Sequence, residues 1–206
     1  MALERVVSRL VEMVKQRKDE KMKIRYYSNS ILRRKCKEVE PGDKKVLKLL
    51  DEMAQKLYEW DGVGLAAPQI GSLKRIVVID VRDEPPVVYK MINPRIVWKS
   101  PNIVESQEGC LSLPGVSGVL MRHEMVTVEY MNENFEHQVI EKANGLLSRC
   151  LQHELDHLDG MLYIDRMDPV DRAILLEEYK QLQEENKQKQ DIDSQITQIL
   201  VEKSSE

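Results

Sequence analysis

The segment from Gln152 to His157 reads Q-H-E-L-D-H and contains the pattern H-E-x-x-H. Residues four apart in a helix share one face, so His153 and His157 can offer two imidazole nitrogens to a single metal ion. Glu154 then lies close enough to exchange a proton with a water molecule at that metal. A pattern with three defined positions also arises by chance, but two of the chain's four histidines stand here. The spacing predicts metal-assisted hydrolysis.

The third protein ligand decides the class of hydrolase, because a catalytic zinc-type site keeps one position for water. The longer metalloprotease pattern needs a histidine at position 163, where the chain has Tyr163, so that class is excluded. A downstream glutamate, Glu177 or Glu178, would instead give an endopeptidase of the thermolysin kind. A non-catalytic structural zinc site would need four protein ligands and would leave Glu154 without a role.

Two cysteines compete for the place of third ligand. Cys110 stands in E-G-C-L-S-L-P-G, flanked by glycine and proline and far along the chain from the histidines. Cys150 lies three residues before His153 and therefore on the same helix face. A thiolate is a good ligand for Zn²⁺ or Fe²⁺, and local spacing leaves the choice between the two open. With Cys36 the chain has an odd number of cysteines, which indicates a reducing compartment rather than a disulfide framework.

The segment from Gly62 to Gly71 reads G-V-G-L-A-A-P-Q-I-G and superficially matches the dinucleotide-binding fingerprint. That fingerprint follows a strand and opens a helix, whereas here a predicted helix precedes it and Pro68 and a strand-like run follow. A nucleotide site is therefore excluded. The small residues indicate instead a backbone that passes close to a ligand or another element, with Gln69 as its strong polar side chain.

The surrounding sequence predicts an α+β fold, with mainly antiparallel sheets around a central helix that carries H-E-x-x-H. Asp43 is a predicted cap for a helix from Lys44 to Glu59, which has apolar residues at helical spacing. Alternating segments without a helical pattern between them predict strands at residues 75–81, 87–91, 95–98, 125–131 and 135–141. His123 and His137 lie in this polar region, where exposed strand histidines are the simpler interpretation, and they are assigned no role.

Two helical extensions flank the predicted catalytic domain of residues 24–167. Residues 1–23 have apolar residues at helical spacing, no apolar signal-peptide core, and four acidic residues that are atypical of a transit peptide. At the other end, Asp168 and Pro169 are typical of a helix start. We expect residues 168–206 to form a terminal helix that extends from the body or packs on a neighbour, and we expect the protein to be cytoplasmic.

The composition excludes two classes of partner. The formal net charge is −4, and the 32% of charged residues have both signs interspersed, so the chain lacks the electrostatic footprint of a nucleic-acid-binding protein. The sequence also lacks an apolar run long enough to span a membrane. We therefore expect neither nucleic acid nor membrane as a partner.

Three motifs together resemble those of the peptide deformylases. They are G-x-G-L-A-A-x-Q from Gly62 to Gln69, E-G-C-L-S from Glu108 to Ser112, and Q-H-E-x-D-H from Gln152 to His157, in the family's order and approximate spacing. The resemblance extends over residues 24–167. It implies that Cys110 is the third metal ligand beside His153 and His157. It also implies Fe²⁺ as the native metal, with Zn²⁺, Ni²⁺ or Co²⁺ as substitutes.

The resemblance implies a reaction and its catalytic groups. The substrate would be the N-terminal formyl-methionine of newly made polypeptides, met at or near the ribosome, and the products formate and a free amino terminus. Glu154 would act as general base and then general acid. The metal, the Leu111 backbone N–H and the Gln69 side-chain amide would stabilise the oxyanion.

The resemblance also implies a set of substrate-binding residues around the metal. Val63 and Gly64 would flank the peptide, and three residues of the metal-bearing helix would line the methionine pocket, namely Leu146, Arg149 and Cys150. Glu108 is also expected among the substrate-binding residues, and Arg122 is expected either to bind the peptide or to pair with Glu108. The sequence departs from the family's usual pattern at His123 and in its N-terminal extension.

Overall fold

The computed structural model describes the backbone of residues 22–203 and the side chains of residues 22–193. The predicted helix of residues 1–23 lies outside this range, apart from Met22 and Lys23, which are not helical. The described helices are α1 (Lys44–Glu59), α2 (Gly145–Leu158) and α3 (Pro169–Lys203). The described strands are β1 (Gly64–Ala66), β2 (Ile76–Ile79), β3 (Tyr89–Lys99), β4 (Ile103–Cys110), β5 (Leu113–His123), β6 (Val126–Met131) and β7 (His137–Ala143).

The strands form two antiparallel sheets. Five strands pair in the order β1-β2-β3-β6-β7, and β4 and β5 form a separate two-stranded sheet. Every pairing between these strands is antiparallel. The α+β class with mainly antiparallel sheets, predicted from the sequence, is confirmed.

The larger sheet is covered by α1 on one face and by α2 on the other. Residues that alternate along β2 belong to opposite cores: Ile76 and Val78 pack with α1, whereas Val77 and Ile79 pack with α2. Burial on both faces explains why this strand is a continuous apolar run. The sheet therefore gives α2 a rigid support along its length.

Helix α1 begins and ends where the sequence predicts. The N–H group of Lys45 donates a hydrogen bond of 3.0 Å to the side chain of Asp43, which is the predicted cap. The apolar stripe is buried against the sheet and consists of Val46, Leu50, Met53 and Leu57. Because the cap and the stripe are both local features, the sequence alone was sufficient to predict this element.

Strand β3 corrects the prediction of two separate strands at residues 87–91 and 95–98. Asn93 has a φ of 52° and the pairing register shifts beside it, so the alternating pattern is interrupted there. Its side chain nevertheless exchanges hydrogen bonds of 2.8 and 2.9 Å with the backbone of Val39. These bonds hold the irregular residue, and the strand continues through it.

The smaller sheet and α3 enclose a third core. Gly118 of β5 faces α3, and a side chain at this position would collide with Met167 and Leu175. Side chains of α3 are buried at Leu175 and Tyr179, but residues 183–193 are exposed. The predicted helix start is confirmed, because Asp168 accepts a hydrogen bond of 2.8 Å from the N–H group of Val170. None of the helices within residues 22–203 has the length and apolarity needed to cross a bilayer.

Candidate metal centre and active site

Helix α2 presents the H-E-x-x-H residues to the interior of the protein. His153, Glu154 and His157 are 8%, 4% and 1% exposed. The two imidazole rings have centroids 5.0 Å apart, as expected for residues one helical turn apart. The ring of Tyr163 stacks on the His153 ring, with the two ring centroids 5.9 Å apart. These contacts hold both imidazoles in one region.

Cys110, the last residue of β4, completes a three-residue cluster with the two histidines. Its Sγ atom lies 3.3 Å from Nε2 of His157, and the three ligand atoms all lie within 4.8 Å of one another. Cys150 is not part of this cluster; its Sγ atom lies 3.6 Å from the carbonyl oxygen of Val63. The fold therefore distinguishes the two cysteines that local spacing could not.

The chemistry of the cluster fits a divalent transition metal. One sulfur and two imidazole nitrogens are a donor set typical of Zn²⁺ or Fe²⁺ sites with an open position. Burial alone would lower the pKa of His153, but its contacts with Cys110 and Glu108 raise that pKa well above its usual value. Burial and the charge of His153 lower the pKa of His157, the ring beside the sulfur, well below its usual value, so the two histidines shift in opposite directions.

A chain of buried ion pairs supports His153. Its Nδ1 atom lies 2.8 Å from Oε2 of Glu108, a contact typical of metal-binding histidines, which leaves Nε2 for the ligand role. Glu108 also accepts two hydrogen bonds from Arg122, of 2.7 and 2.9 Å. Burial opposes the ionised form of Glu108, but these hydrogen bonds outweigh it and lower its pKa to about 2. Glu108 is therefore a fixed anion.

Asp156 continues this series of buried ion pairs as far as Arg166. It accepts a hydrogen bond of 2.6 Å from Arg122 and two more of 2.6 Å from Arg166. Of the two roles expected for Arg122, the structure contains the pairing with Glu108. Arg122 is 3% exposed and is not among the residues that line the cavity described below.

The carboxyl group of Glu154 is closely surrounded by other protein groups. No group in the described part of the chain forms a hydrogen bond with its Oε2 atom, although that atom is buried. Burial raises the pKa of its carboxyl group to about 7. A Cβ atom on Gly64 would lie 2.4 Å from Oε1 of Glu154 and 2.7 Å from Sγ of Cys150. Only glycine therefore allows β1 to pass this close to the carboxyl group, the close approach that the glycine-rich segment predicted.

Contacts at both the oxygen and the nitrogen of its amide group fix the orientation of the Gln69 side chain. Its Oε1 atom accepts a hydrogen bond of 2.8 Å from the N–H group of Ala66, so Nε2 is directed to the other side. That nitrogen lies 3.5 Å from Sγ of Cys110 and 3.4 Å from Oγ of Ser112. The amide therefore offers its donor group at the edge of the metal cluster.

A cavity of about 360 Å³ opens onto these groups. Its wall contains every residue expected to bind substrate except Arg122, and it also contains Gln69, Leu111, Glu154 and two of the three cluster residues. The expected substrate-binding residues in the wall are Val63, Gly64, Glu108, Leu146, Arg149 and Cys150. His123 and His137 are remote from it: Nδ1 of His123 lies 2.8 Å from the carbonyl oxygen of Ser100, and His137 is exposed.

Sequence reasoning missed several residues that support the site. Asp156 and Arg166 orient the ion-pair chain, Ser112 contacts Gln69, and Tyr163 stacks on His153. Asp156 lies three residues after His153 and so on the same side of the helix, but its neighbours in the sequence gave no sign of its role. Its partners come from β5 and from the segment after α2, and local pattern does not report such contacts.

Comparisons with known proteins agree with this geometry. The family model for polypeptide deformylases matches residues 21–173, which contain all the cluster and cavity residues. The chain belongs to the peptide deformylase family. A peptide deformylase from Natranaerobius thermophilus is 46% identical over 150 residues, covering 73% of this chain and 94% of the relative.

Solved structures of the family have the same fold. The crystal structure of peptide deformylase from Ehrlichia chaffeensis superposes with a TM-score of 0.74 at 34% identity, covering 80% of this chain and 98% of that one. A peptide deformylase from Synechococcus elongatus in complex with actinonin has a TM-score of 0.72 at 39% identity, covering 76% of this chain and 86% of that one. Glu177 and Glu178 are exposed on α3 and outside the cluster, so the endopeptidase alternative is not favoured.

Proposed function

We propose that this chain hydrolyses the formamide bond of N-terminal formyl-methionine in newly made polypeptides and releases formate. The observation that carries the proposal is the convergence of Cys110, His153 and His157 at a cavity that also exposes Glu154, in a member of the peptide deformylase family. The cytoplasm is the proposed location, since Cys110 must stay reduced to act as a ligand.

The three cluster residues are proposed to hold one divalent metal ion. Fe²⁺ is the proposed native ion, and Zn²⁺, Ni²⁺ or Co²⁺ can substitute, because thiolate and imidazole donors suit all four. When bound, such an ion acts as a Lewis acid that lowers the pKa of a water molecule and polarises a carbonyl group. Glu108 supports this role by accepting the Nδ1 proton of His153 and keeping that ring in one orientation.

Glu154 is the proposed proton carrier of the reaction. Its buried Oε2 atom has no hydrogen-bond partner among the described residues, and the residue contributes to the cavity wall, where the attacking water would enter. The carboxylate takes a proton from the attacking water while the water oxygen bonds to the formyl carbon. The same carboxyl group then returns the proton to the methionine nitrogen as the C–N bond breaks, which leaves formate and a free amine.

Two donors are proposed to stabilise the negative charge on the formyl oxygen. The Nε2 group of Gln69 is aimed at the cluster because the other end of its amide is held by Ala66. The backbone N–H of Leu111 follows the ligand Cys110 directly and is the second donor. Pre-oriented donors of this kind need no rearrangement when charge develops, and removing one typically costs about 10²–10³ in rate.

The decisive test combines formate release with metal content. We expect the protein to release formate from formyl-Met peptides, and Cys110→Ser to lose both bound metal and activity, because a hydroxyl is a much poorer ligand than a thiolate. Cys36→Ala is the matched control, since Cys36 is a buried thiol outside the cluster and the cavity wall. An endopeptidase with a glutamate ligand would keep its metal in Cys110→Ser and would cleave internal peptide bonds. Metal analysis of anaerobically prepared protein identifies the native ion.

A further inference from the structure

Arg149 is a charged residue of the cavity wall whose side chain is not used within the protein. Among residues 22–193 its guanidinium group has no hydrogen-bond or ion-pair partner, although it is half-buried. The other charged lining residues include Asp61 and Glu108, which pair with Arg82 and Arg122 at 2.7 Å. Arg149 is the one arginine or lysine in the described wall. The guanidinium group of Arg149 is therefore free to bind a group of a molecule that enters the cavity.

The chemistry of the side chain defines what it can bind. A guanidinium offers five N–H donors in a rigid fork and matches a carboxylate with two parallel hydrogen bonds. Its aliphatic stem can border an apolar group such as the methionine side chain while its charged head reaches further out. A cationic ligand group at the same place would be repelled. Arg149 thus favours a carboxylate over an amide and an amide over an ammonium group.

The position of Arg149 on α2 indicates which part of a substrate it meets. It precedes the cluster residue His153 by four residues, which corresponds to about 6 Å along the helix axis toward the exposed residue Leu146. In a peptide, the formyl carbon is separated from the methionine Cα by two bonds, and the next Cα is 3.8 Å beyond it, about 6 Å in total. The cavity wall extends from the cluster past Arg149 to Leu146, so a peptide that leaves the cluster along this wall brings its second residue level with Arg149.

We propose that Arg149 is a specificity-determining residue that selects formyl-methionyl peptides with aspartate or glutamate at the second position. This inference rests on the proposed deformylase function and narrows its substrate class. The expected preference for aspartate over the isosteric asparagine is about fivefold to thirtyfold in kcat/KM, as for an interaction of this size at a partly buried site. Lysine at the second position is expected to be poorer than asparagine.

The experiment compares three peptides that differ at one residue, with the sequence formyl-Met-Xaa-Ala and an amidated C-terminus. Xaa is Asp, Asn or Lys, and amidation removes the terminal carboxylate that could otherwise occupy the same guanidinium. The quantity measured is the ratio of kcat/KM for Asp to that for Asn, followed as formate release. The ratio is expected to exceed about five at low ionic strength and to decline with added salt.

Two variants test whether the preference for aspartate over asparagine depends on the Arg149 side chain. Arg149→Met is expected to bring the ratio of Asp to Asn close to one, and Arg149→Gln, which keeps polarity without charge, to do the same. Arg34→Met is the matched control, because Arg34 is exposed and does not line the cavity, and its ratio is expected to match that of the parent protein. Two variants keep the test valid if one of them folds poorly.

The outcomes separate this inference from the function on which it rests. Equal release of formate from the Asp and Asn peptides by the parent protein would overturn the role of Arg149 and leave the deformylase function intact. A preference that persists in both Arg149 variants would also overturn it. Failure to release formate from any of the three peptides would instead contradict the proposed function itself.

Discussion

The carboxyl group of Glu154 shows how a single residue can be prepared for proton transfer by its surroundings. It is 4% exposed, its Oε2 atom has no hydrogen-bond partner within the described residues, and Gly64 leaves no space beside it. An unpaired buried carboxyl group is destabilising in itself, because no hydrogen bond compensates for the water it loses. Such a cost at the end of a reactive cavity is typical of a catalytic group.

Glu154→Ala is therefore expected to retain metal and lose hydrolysis. The residue is not one of the three cluster ligands, so metal content should equal that of the parent protein. General acid–base groups contribute about 10²–10⁴ in rate, and this one acts in two proton transfers. The measurements are metal content and the rate of formate release. A variant that is metal-loaded and turns over near the parent rate would exclude the proposed role.

Asp156 supports the site without contact with substrate, and its loss should be detected as lower stability. Asp156→Asn removes the negative charge that faces Arg122 and Arg166, while Arg122 keeps its pair with Glu108. Because one charged partner remains, the expected cost is about 1–3 kcal/mol, below the cost of leaving a buried charge with no partner. The measurement is the free energy of unfolding of metal-free protein in urea. Glu52→Gln is the control, because it alters only the solvent-exposed pair with Lys48 and should change stability by less than about 0.5 kcal/mol. Equal destabilisation by the two substitutions would contradict a structural role of the buried ion pairs of Asp156.

At the scale of elements, the sequence predicted some parts of the fold and failed at others for a physical reason. The bounds of α1 followed from a cap and an apolar stripe, both of which are local. Strand β4 escaped prediction because its buried positions include Ser106 and Glu108, which are polar. These two residues hydrogen-bond to each other at 3.0 Å in the cavity wall. The alternation of apolar and polar residues fails where a strand contributes its inner face to a functional site.

Helix α3 contributes to the fold through a few buried side chains of its first half, and mutation of these side chains tests how it is anchored. Leu175→Ala should destabilise the protein by about 2–5 kcal/mol, because it removes a buried side chain that packs against β5 at Gly118. The neighbouring Ile174 is 63% exposed, so Ile174→Ala should change stability by less than about 0.5 kcal/mol. Urea midpoints of the two variants give the comparison. Similar midpoints for both would mean that α3 is not anchored to the smaller sheet.

At the scale of the whole molecule, the site is assembled from segments that lie far apart in the sequence. The loop before β1, the end of β4 and the inner face of α2 meet because the larger sheet supports α2 and the smaller sheet presents Cys110 to it. Two of the three sequence motifs contained the cluster residues Cys110, His153 and His157. It could not choose between the two possible roles of Arg122, since that depends on how closely β5 approaches α2 in the folded chain.

This assembly predicts a strong preference for formyl over acetyl groups. The space between β1, Glu154 and Cys150 has no room for even one added carbon, because a Cβ on Gly64 would lie 2.4 Å from Oε1 of Glu154. Gln69 closes the other side, with its Nε2 atom 3.5 Å from Sγ of Cys110. We expect the substituent of the carbonyl carbon to point toward this space, where the hydrogen of a formyl group fits and the methyl group of an acetyl group does not.

The expected difference is about 10²-fold or more in kcat/KM between formyl-Met and acetyl-Met versions of one peptide, since a single misplaced carbon in a pocket that cannot expand typically costs 10- to 200-fold. Formate and acetate release from the two peptides are measured under the same conditions, with internal cleavage followed by mass spectrometry. The rest of the cavity, about 360 Å³ and open at Leu146, accepts both peptides equally, so the discrimination has to arise beside the cluster. Comparable values for the two peptides would show that β1 and α2 separate during turnover and that the close approach at Gly64 does not limit the reacting group.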